Sequence, residues 1–426
     1  MMLIKNFDEL ATSKLRKDAL LIVEEGLKAI DTEKVLSKQI SLEGSILTIR
    51  NQKLDLNKFR KIFIIGVGKT SCAAGKVLEE VLQDKISGGI ILDTKPGDLK
   101  RIECVVGSHP LPSQTNVDAT AKIVARLKSL TKGDLVLAII SGGGSSLLCN
   151  PYKLSCDEKA MIGRSLIKGG ADIVETNIVR KHLSEIKGGW FAVHAYPATV
   201  VSLIFSDVPN DDLSEIASGP TVLDKTTVED AQKIMTKYDV LKLCKLPHCE
   251  LNETPKDLKY FAKVTNILMM NNKLALEAMK KQAQSLGFKG KIYDNFLQGQ
   301  AKDVGRKLIN GLQTNQVLIA GGETTVKVGG IGTGGRNQEF VLAAIPFLKK
   351  NQVIVSVASD GVDNRTEFAG AIADTDSKFK SKKLGLKIES YLENNDSFSF
   401  FKEMGDGVET GPLNSNVSDL ILALNK

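Results

Sequence analysis

Short apolar runs alternate with longer amphipathic stretches along most of this chain. Lys61 to Gly68 reads KIFIIGVG, a buried strand that ends in glycines, and Lys69 to Leu82 then shows helical spacing. Gly89–Asp93, Cys104–Val106, Leu135–Ile140 and Val200–Ser206 repeat the strand signal, with Asp118–Leu130 helical between them. Near Leu241–Lys263 two prolines and polar residues break the pattern. Beyond it, Ile267–Met270, Lys291–Tyr293, Val317–Ala320, Val353–Ala358 and Asp419–Leu424 read as strands, and Lys273–Leu286 and Gln300–Leu312 as helices. Continuous apolar strands separated by helices predict an α/β fold with largely parallel sheets, covered by helices on both faces. Two domains are expected, 1–250 (Rossmann-like) and 251–426, with a cleft between them as the natural ligand site.

Composition narrows the picture. At 426 residues, 42% hydrophobic and 25% charged, the chain has apolar surface for full cores, and disorder is excluded as a general description. No apolar run approaches the roughly 20 residues a membrane helix needs, and Asp8 and Glu9 spoil a secretory signal. The net charge of +7 is carried mainly by lysine, with ten arginines and 5% aromatics, which suits an anionic small molecule better than nucleic acid. Six scattered cysteines without a CxxC pair are expected as reduced thiols, and the location as cytoplasmic.

Glycine-rich strand ends carry the candidate chemistry. Gly66-Val67-Gly68-Lys69-Thr70 closes a strand and opens a helix, where amides attract anions and Lys69 adds a cation. It is not a Walker A loop, because Phe63 stands where the first glycine belongs, nor a dinucleotide fingerprint, because Ser71 replaces the third glycine. Ser141-Gly142-Gly143-Gly144-Ser145-Ser146 follows the strand Leu135–Ile140; a phosphate cradle, a structural turn and a serine nucleophile all remain open there. In the second half, seven glycines between 321 and 335 flank Glu323 and lead to Arg336 and Asn337, so a mobile or ligand-wrapping loop is expected, with Arg336 clamping a phosphoryl group. Asp207, Asp360 and Asp374 sit at or near strand ends as candidates for Mg²⁺ or proton acceptance. His109 precedes Pro110 in a turn, His194 and His248 look ordinary, and His182 reads equally as structural or substrate-orienting. Two glycine loops, a lysine, an arginine and strand-end aspartates are the parts that phosphoryl transfer uses.

The strings GVGKTSCAAG, SGGGSSLL, VRKHLSEIKGG, SDVPNDDLSEIASGPTV, GGETTVKVGGIGTGGRNQEFVLAA and ASDGVDNRTEFAGAIADT occur in this order. Together they resemble the class II glycerate kinases, whose C-terminal part is called the MOFRL domain. The resemblance implies ATP-dependent phosphorylation of D-glycerate at the 2-hydroxyl, two α/β domains and a homodimer. It also implies that Lys69 and Arg336 are essential; Gly66, Gly68, the 141–146 loop, Glu323, Asn337 and Asp360 are the residues expected around the substrate and nucleotide. Departures are Gly411-Pro412-Leu413-Asn414-Ser415-Asn416 near the end and Trp190 after IKGG.

Overall fold

The computed structural model describes residues 2–364 and 366–426. By its internal contacts the chain divides into two compact units: one of Met1–Asp31, Asp207–Asn210 and Met270–Lys426, the other of Thr32–Ser206 and Asp211–Met269. The division therefore falls near residue 270 rather than 250, and the first thirty-one residues pack with the C-terminal part instead of the N-terminal part. The reason lies in helix Lys14–Ala29, which packs on helix Asn272–Ser285 so closely that a Cβ at Gly26 would stand 2.6 Å from Met279 Cγ. Ser13 starts that helix by accepting the Arg16 amide on its hydroxyl, which meets one of the unpaired first-turn donors.

The unit 32–206/211–269 is built on a six-stranded sheet in the order Glu103–Val106, Gly88–Asp93, Lys61–Val67, Asp134–Ile140, Thr199–Phe205, Val264–Met270. The first five strands run parallel, as the apolar pattern requires. Every residue of Asp134–Ile140 is buried, the mark of a central strand covered on both faces. Phe63, Ile65 and Val67 share one face with Val136 and Ala138 and pack on Ile123 and Leu127 of helix Gln114–Lys128. A separate apolar cluster (Ile162, Leu166, Val179, Leu183, Ile234, Met235) ties helices Cys156–Gly169, Ile173–His182 and Val228–Lys237 together. A small antiparallel sheet, Ile40–Glu43, Ile46–Ile49 and Gln52–Asp55, was not legible in the pattern.

The other unit also has six strands, in the order Lys289–Leu297, Gln316–Gly322, Asp419–Asn425, Gln352–Ala358, Gly370–Asp374, Gly407–Val408. Here the expected parallel arrangement holds only for the first pair, and the sheet is mixed. Asp419–Asn425 inserts antiparallel between Gln316–Gly322 and Gln352–Ala358. A run that is buried on both faces looks the same in either direction, so burial could not reveal this. One face carries Leu318, Ala320, Ile354, Ala371, Ile421 and Ala423 against Phe340, Phe400 and Phe401.

The structure also departs from the expectation of six reduced thiols. Adjacent strand and helix ends bring Cys72 to Cys104 across 32 residues, and the helix start at Cys156 meets Cys149; both pairs are joined, and Cys244 and Cys249 are the free ones. None of the described helices is long and apolar enough to cross a membrane.

Candidate active site

Two neighbouring strands, Lys61–Val67 and Asp134–Ile140, end side by side and turn into the two N-terminal glycine loops. The loops are zipped together: the Lys69 amide donates to the Gly142 carbonyl (2.9 Å) and the Thr70 amide to the Ser141 hydroxyl (3.3 Å). Gly68 has φ +121°, and a Cβ there would lie 2.1 Å from Ser141 Oγ and 2.5 Å from its carbonyl oxygen. Only glycine fits both the conformation and the approach. Gly143, also left-handed at φ +80°, lies against the Lys69 stem and the His109 ring, whose atoms would stand 3.2 and 3.3 Å from a Cβ. Thus Lys69, Gly143 and His109 meet, although the sequence marked His109 only as the residue before Pro110 in a turn. The Thr70 hydroxyl beside them is buried and finds no hydrogen-bond partner among the described residues.

The helix Ser71–Leu82 does not offer all its amides to a ligand, as its position had suggested. Asp93, at the end of the neighbouring strand, accepts the Cys72 amide (2.9 Å) as well as those of Thr94 and Lys95. Burial raises the Asp93 carboxyl from its ordinary range, and these amides pull it back only in part.

Beyond Gly144 the loop rests on a second tight segment. Ala217, Ser218 and Gly219 all have positive φ (50°, 61° and 60°), which is strained for the first two. A Cβ on Gly144 would approach Ala217 Cβ to 2.7 Å, so the third glycine is a requirement of close packing. Ser145 and Ser218 share a hydroxyl contact of 3.0 Å, and Ser218 donates onward to Asn177. The Ser145 carbonyl accepts from Lys187 Nζ at 2.6 Å. Lys187 was not singled out from the sequence; its only signal was a lone lysine in the IKGG string. His182 proves structural, with its ring nitrogens on the Asn252 carbonyl and the Thr226 hydroxyl.

In the other unit, Arg336 opens helix Arg336–Ala344. Its guanidinium is held by two bonds to Asp419 (2.6 and 2.9 Å) and one to Glu323 (2.6 Å). Burial alone would lower the guanidinium pKa, but the two carboxylates override it and raise it further. Asp419 was read only as the start of the last strand; the antiparallel insertion of that strand is what lays it beside Gly322 and Ala358. Asp363, three residues beyond Asp360, is a second buried acid of this unit. It accepts the backbone and side-chain N–H groups of Asn337 and Gln338, and burial pushes its carboxyl up to about 6. Its place explains Gly335, where a Cβ would meet Asp363 Cγ at 2.1 Å.

Two expected site residues are corrected here. Asn337 is 1% exposed, with its amide on Asp363 and its carbonyl taken by Ser356, so it belongs to the buried network rather than to a ligand surface. Asp374 caps helix Thr375–Lys383 through Ser377 and faces Arg16. It pairs with Val353, while Asp360 follows the opposite end of the same strand, so the topology separates them by the strand's length. Asp207 and Asp360 do converge on one turn: Asn416 and Ser418 donate to Asp207, and the Leu413 amide donates to the Asp360 carbonyl. That turn is the stretch where the sequence departs from the family wording. Among the described residues no three acidic, histidine or cysteine side chains are arranged as a metal cage, so the expected three-aspartate set does not assemble. The glycine-rich 321–335 segment is tied to the 395–396 turn: Asn395 accepts the Gly329 and Gly330 amides, and Asp396 that of Thr333.

Residues 18–247 match the domain of unknown function DUF4147, and residues 316–419 match the MOFRL family. A D-glycerate 2-kinase from Thermotoga maritima is 34% identical, covering 96% of this chain and 98% of its own. An Agrobacterium vitis protein provisionally named a hydroxypyruvate reductase is 39% identical over 84% of this chain and 85% of its own. The crystal structure of glycerate kinase from Thermotoga maritima superposes with a TM-score of 0.81 at 33% identity, covering 97% of this chain and all (100%) of that one. Fold, motif order and these relatives together place the chain in the glycerate 2-kinase family that joins a DUF4147 region to a MOFRL region.

Proposed function

We propose that this protein transfers the γ-phosphoryl group of ATP to the 2-hydroxyl of D-glycerate. The observation that carries the reading is the meeting of Lys69, the unpartnered Thr70 hydroxyl and the Ser141–Ser146 loop at two parallel strand ends. Cations and donors fixed at one point suit an anion with several oxygens, such as a phosphate, and the named kinases among the relatives point to ATP as its source. In this reading Lys69 and the loop amides hold phosphate oxygens. Arg336, kept in place by Asp419 with Glu323 as an exchangeable partner, balances charge that builds on the transferring group. Asp207 and Asp360 are hard oxygen donors that share one turn, and they would hold a magnesium ion delivered with the nucleotide. That ion, when bound, neutralises phosphate charge. Whichever of the two is not engaged by the metal accepts the hydroxyl proton. Asp207→Asn and Asp360→Asn separate these roles: loss of the metal holder raises the magnesium requirement, and loss of the proton acceptor lowers kcat at saturating magnesium.

The deciding experiment is phosphorus NMR of the product after incubation with D-glycerate, ATP and Mg²⁺. A 2-phosphoglycerate resonance supports the reading, and unchanged ATP with folded protein refutes it. The relative's provisional name favours a second reading, reduction of hydroxypyruvate with a nicotinamide cofactor. Against it stands Ser71, buried with its hydroxyl 3.4 Å from Ser141 at the position where a dinucleotide loop needs glycine. Oxidation of NADH or NADPH by hydroxypyruvate would establish it. A homodimer in the cytoplasm belongs to the same proposal; sedimentation velocity checks the first part and fractionation the second.

A further inference from the structure

Among the largest fully buried side chains of the described residues is a cation. Lys187 is 0% exposed, and its amine donates to the Ser145 carbonyl at 2.6 Å. The segment that carries it is fixed on both sides, with Glu185 bonded to Asn150 and Gly188 to Ser218. Two further cations face the same amine: Lys159 from helix Cys156–Gly169, within hydrogen-bonding reach, and Arg180 from helix Ile173–His182. Both are half-buried and keep a path to solvent. The next residue, Lys181, pairs with Asp224 (3.3 Å) and Glu215 (3.6 Å), and His182 stands 3.8 Å from Asp224. Four cations, Lys159, Arg180, Lys181 and Lys187, therefore face two carboxylates, Glu215 and Asp224. Both carboxylates lie within ion-pair distance of Lys181, and Glu215 also faces Arg180 at longer range; among the described residues Lys159, Arg180 and Lys187 form no ion pair.

Like charges gathered away from water repel, and removing them from water adds a second penalty. Here burial first, and then Lys159 and Arg180, hold the Lys187 amine well below the ordinary lysine range, while burial pushes Lys159 down to about 8. A bound anion relieves both penalties at once. We propose that Lys187, Lys159 and Arg180 anchor an anionic oxygen group of the ligand, a carboxylate or a phosphoryl group, beside the Ser141–Ser146 loop. Lys187 would act mainly by positioning Ser145 and supplying charge, while Arg180 and Lys159 touch the anion. The loop meets Lys69 at Gly143 and Lys187 at the Ser145 carbonyl, so in this proposal it would be read at two points: one for the transferring phosphate and one for a second charged group. Only the identity of the anion, glycerate carboxylate or nucleotide phosphate, rests on the kinase reading above.

The test uses the full chain and the variants Lys187→Met and Arg180→Gln. Arg180 is partly exposed and bonds no backbone, so its variant stands if Lys187→Met fails to fold. The expected result is a rise of about tenfold or more in the KM for one anion, with the other KM within about twofold and kcat reduced less. A rise for D-glycerate identifies the carboxylate, and a rise for ATP the phosphoryl group. If wild-type protein shows no turnover, calorimetric titration with D-glycerate, ATP and inorganic phosphate separates the two ideas. Weaker binding of any of these probes by Arg180→Gln supports the anchor although the kinase reading has failed. Unchanged KM values, or unchanged binding in that second arm, for both folded variants would overturn the proposal.

Discussion

Replacing Asp419 by alanine tests whether the last strand is there to hold Arg336. Asp419 has 2% side-chain exposure and accepts two guanidinium bonds, at 2.6 and 2.9 Å. Each charge-assisted bond contributes roughly 1.5–3 kcal/mol when water is excluded, and breaking a fully buried pair costs about 3–5 kcal/mol. Arg336 keeps 33% of its side chain exposed and retains Glu323, so part of its charge is rehydrated. A loss of about 2 kcal/mol in stability is therefore expected, with the denaturant midpoint moving down at unchanged slope. That is close to thirtyfold in the folding constant. In the same variant the guanidinium is free to swing about Glu323, and kcat falls by about tenfold or more while the protein remains folded. Asp419→Asn, which keeps the shape and one acceptor, is expected to lose less on both counts. Denaturation followed by circular dichroism, together with a coupled ADP-release assay, reads both quantities. A folded Asp419→Ala protein with an unmoved midpoint and wild-type kcat would refute the idea that this pair organises the site.

Lys69→Ala is expected to lower kcat by roughly a hundredfold or more, because a fixed cation at the transferring phosphate is worth a few kcal/mol; near-normal turnover in steady-state kinetics removes Lys69 from the site. Gly144→Ala forces a methyl to 2.7 Å from Ala217 Cβ. Since the Ala217–Gly219 backbone is already strained, a loss of about 1–3 kcal/mol and a raised KM for ATP are expected, and a stability equal to wild type contradicts the packing argument. For pH, Lys159 ionises near 8 in the folded protein, below the ordinary lysine value of 10.5. Anion affinity should thus be full below pH 8 and weaken as the pH rises through it, while between pH 8 and 10.5 the unfolded chain holds the proton that the folded one has lost, so this group's contribution to stability rises with pH. A Lys159→Gln protein that keeps the same pH dependence of KM excludes that origin.

Much of this protein is written locally in its sequence. Strands such as Asp134–Ile140 are apolar because both faces are covered, and the glycines at 68, 143 and 144 mark the points where loops and side chains approach within van der Waals distance. Those features depend on neighbours a few residues away or on burial alone, so composition and spacing reveal them, as they do Lys69 and Arg336. What the tertiary structure alone decided is which distant residues share a place. The direction of Asp419–Asn425 sets Asp419 on Arg336, and the antiparallel pairing of Gly370–Asp374 with Gln352–Ala358 carries Asp374 to the strand end opposite Asp360. Helix Lys14–Ala29, from the chain's beginning, packs with its end, and Lys187 disappears under Ser145 beside two other cations. Such partnerships join positions tens to hundreds of residues apart, and no local pattern encodes them, because periodicity records how a side chain faces its own element and not what the fold brings to meet it.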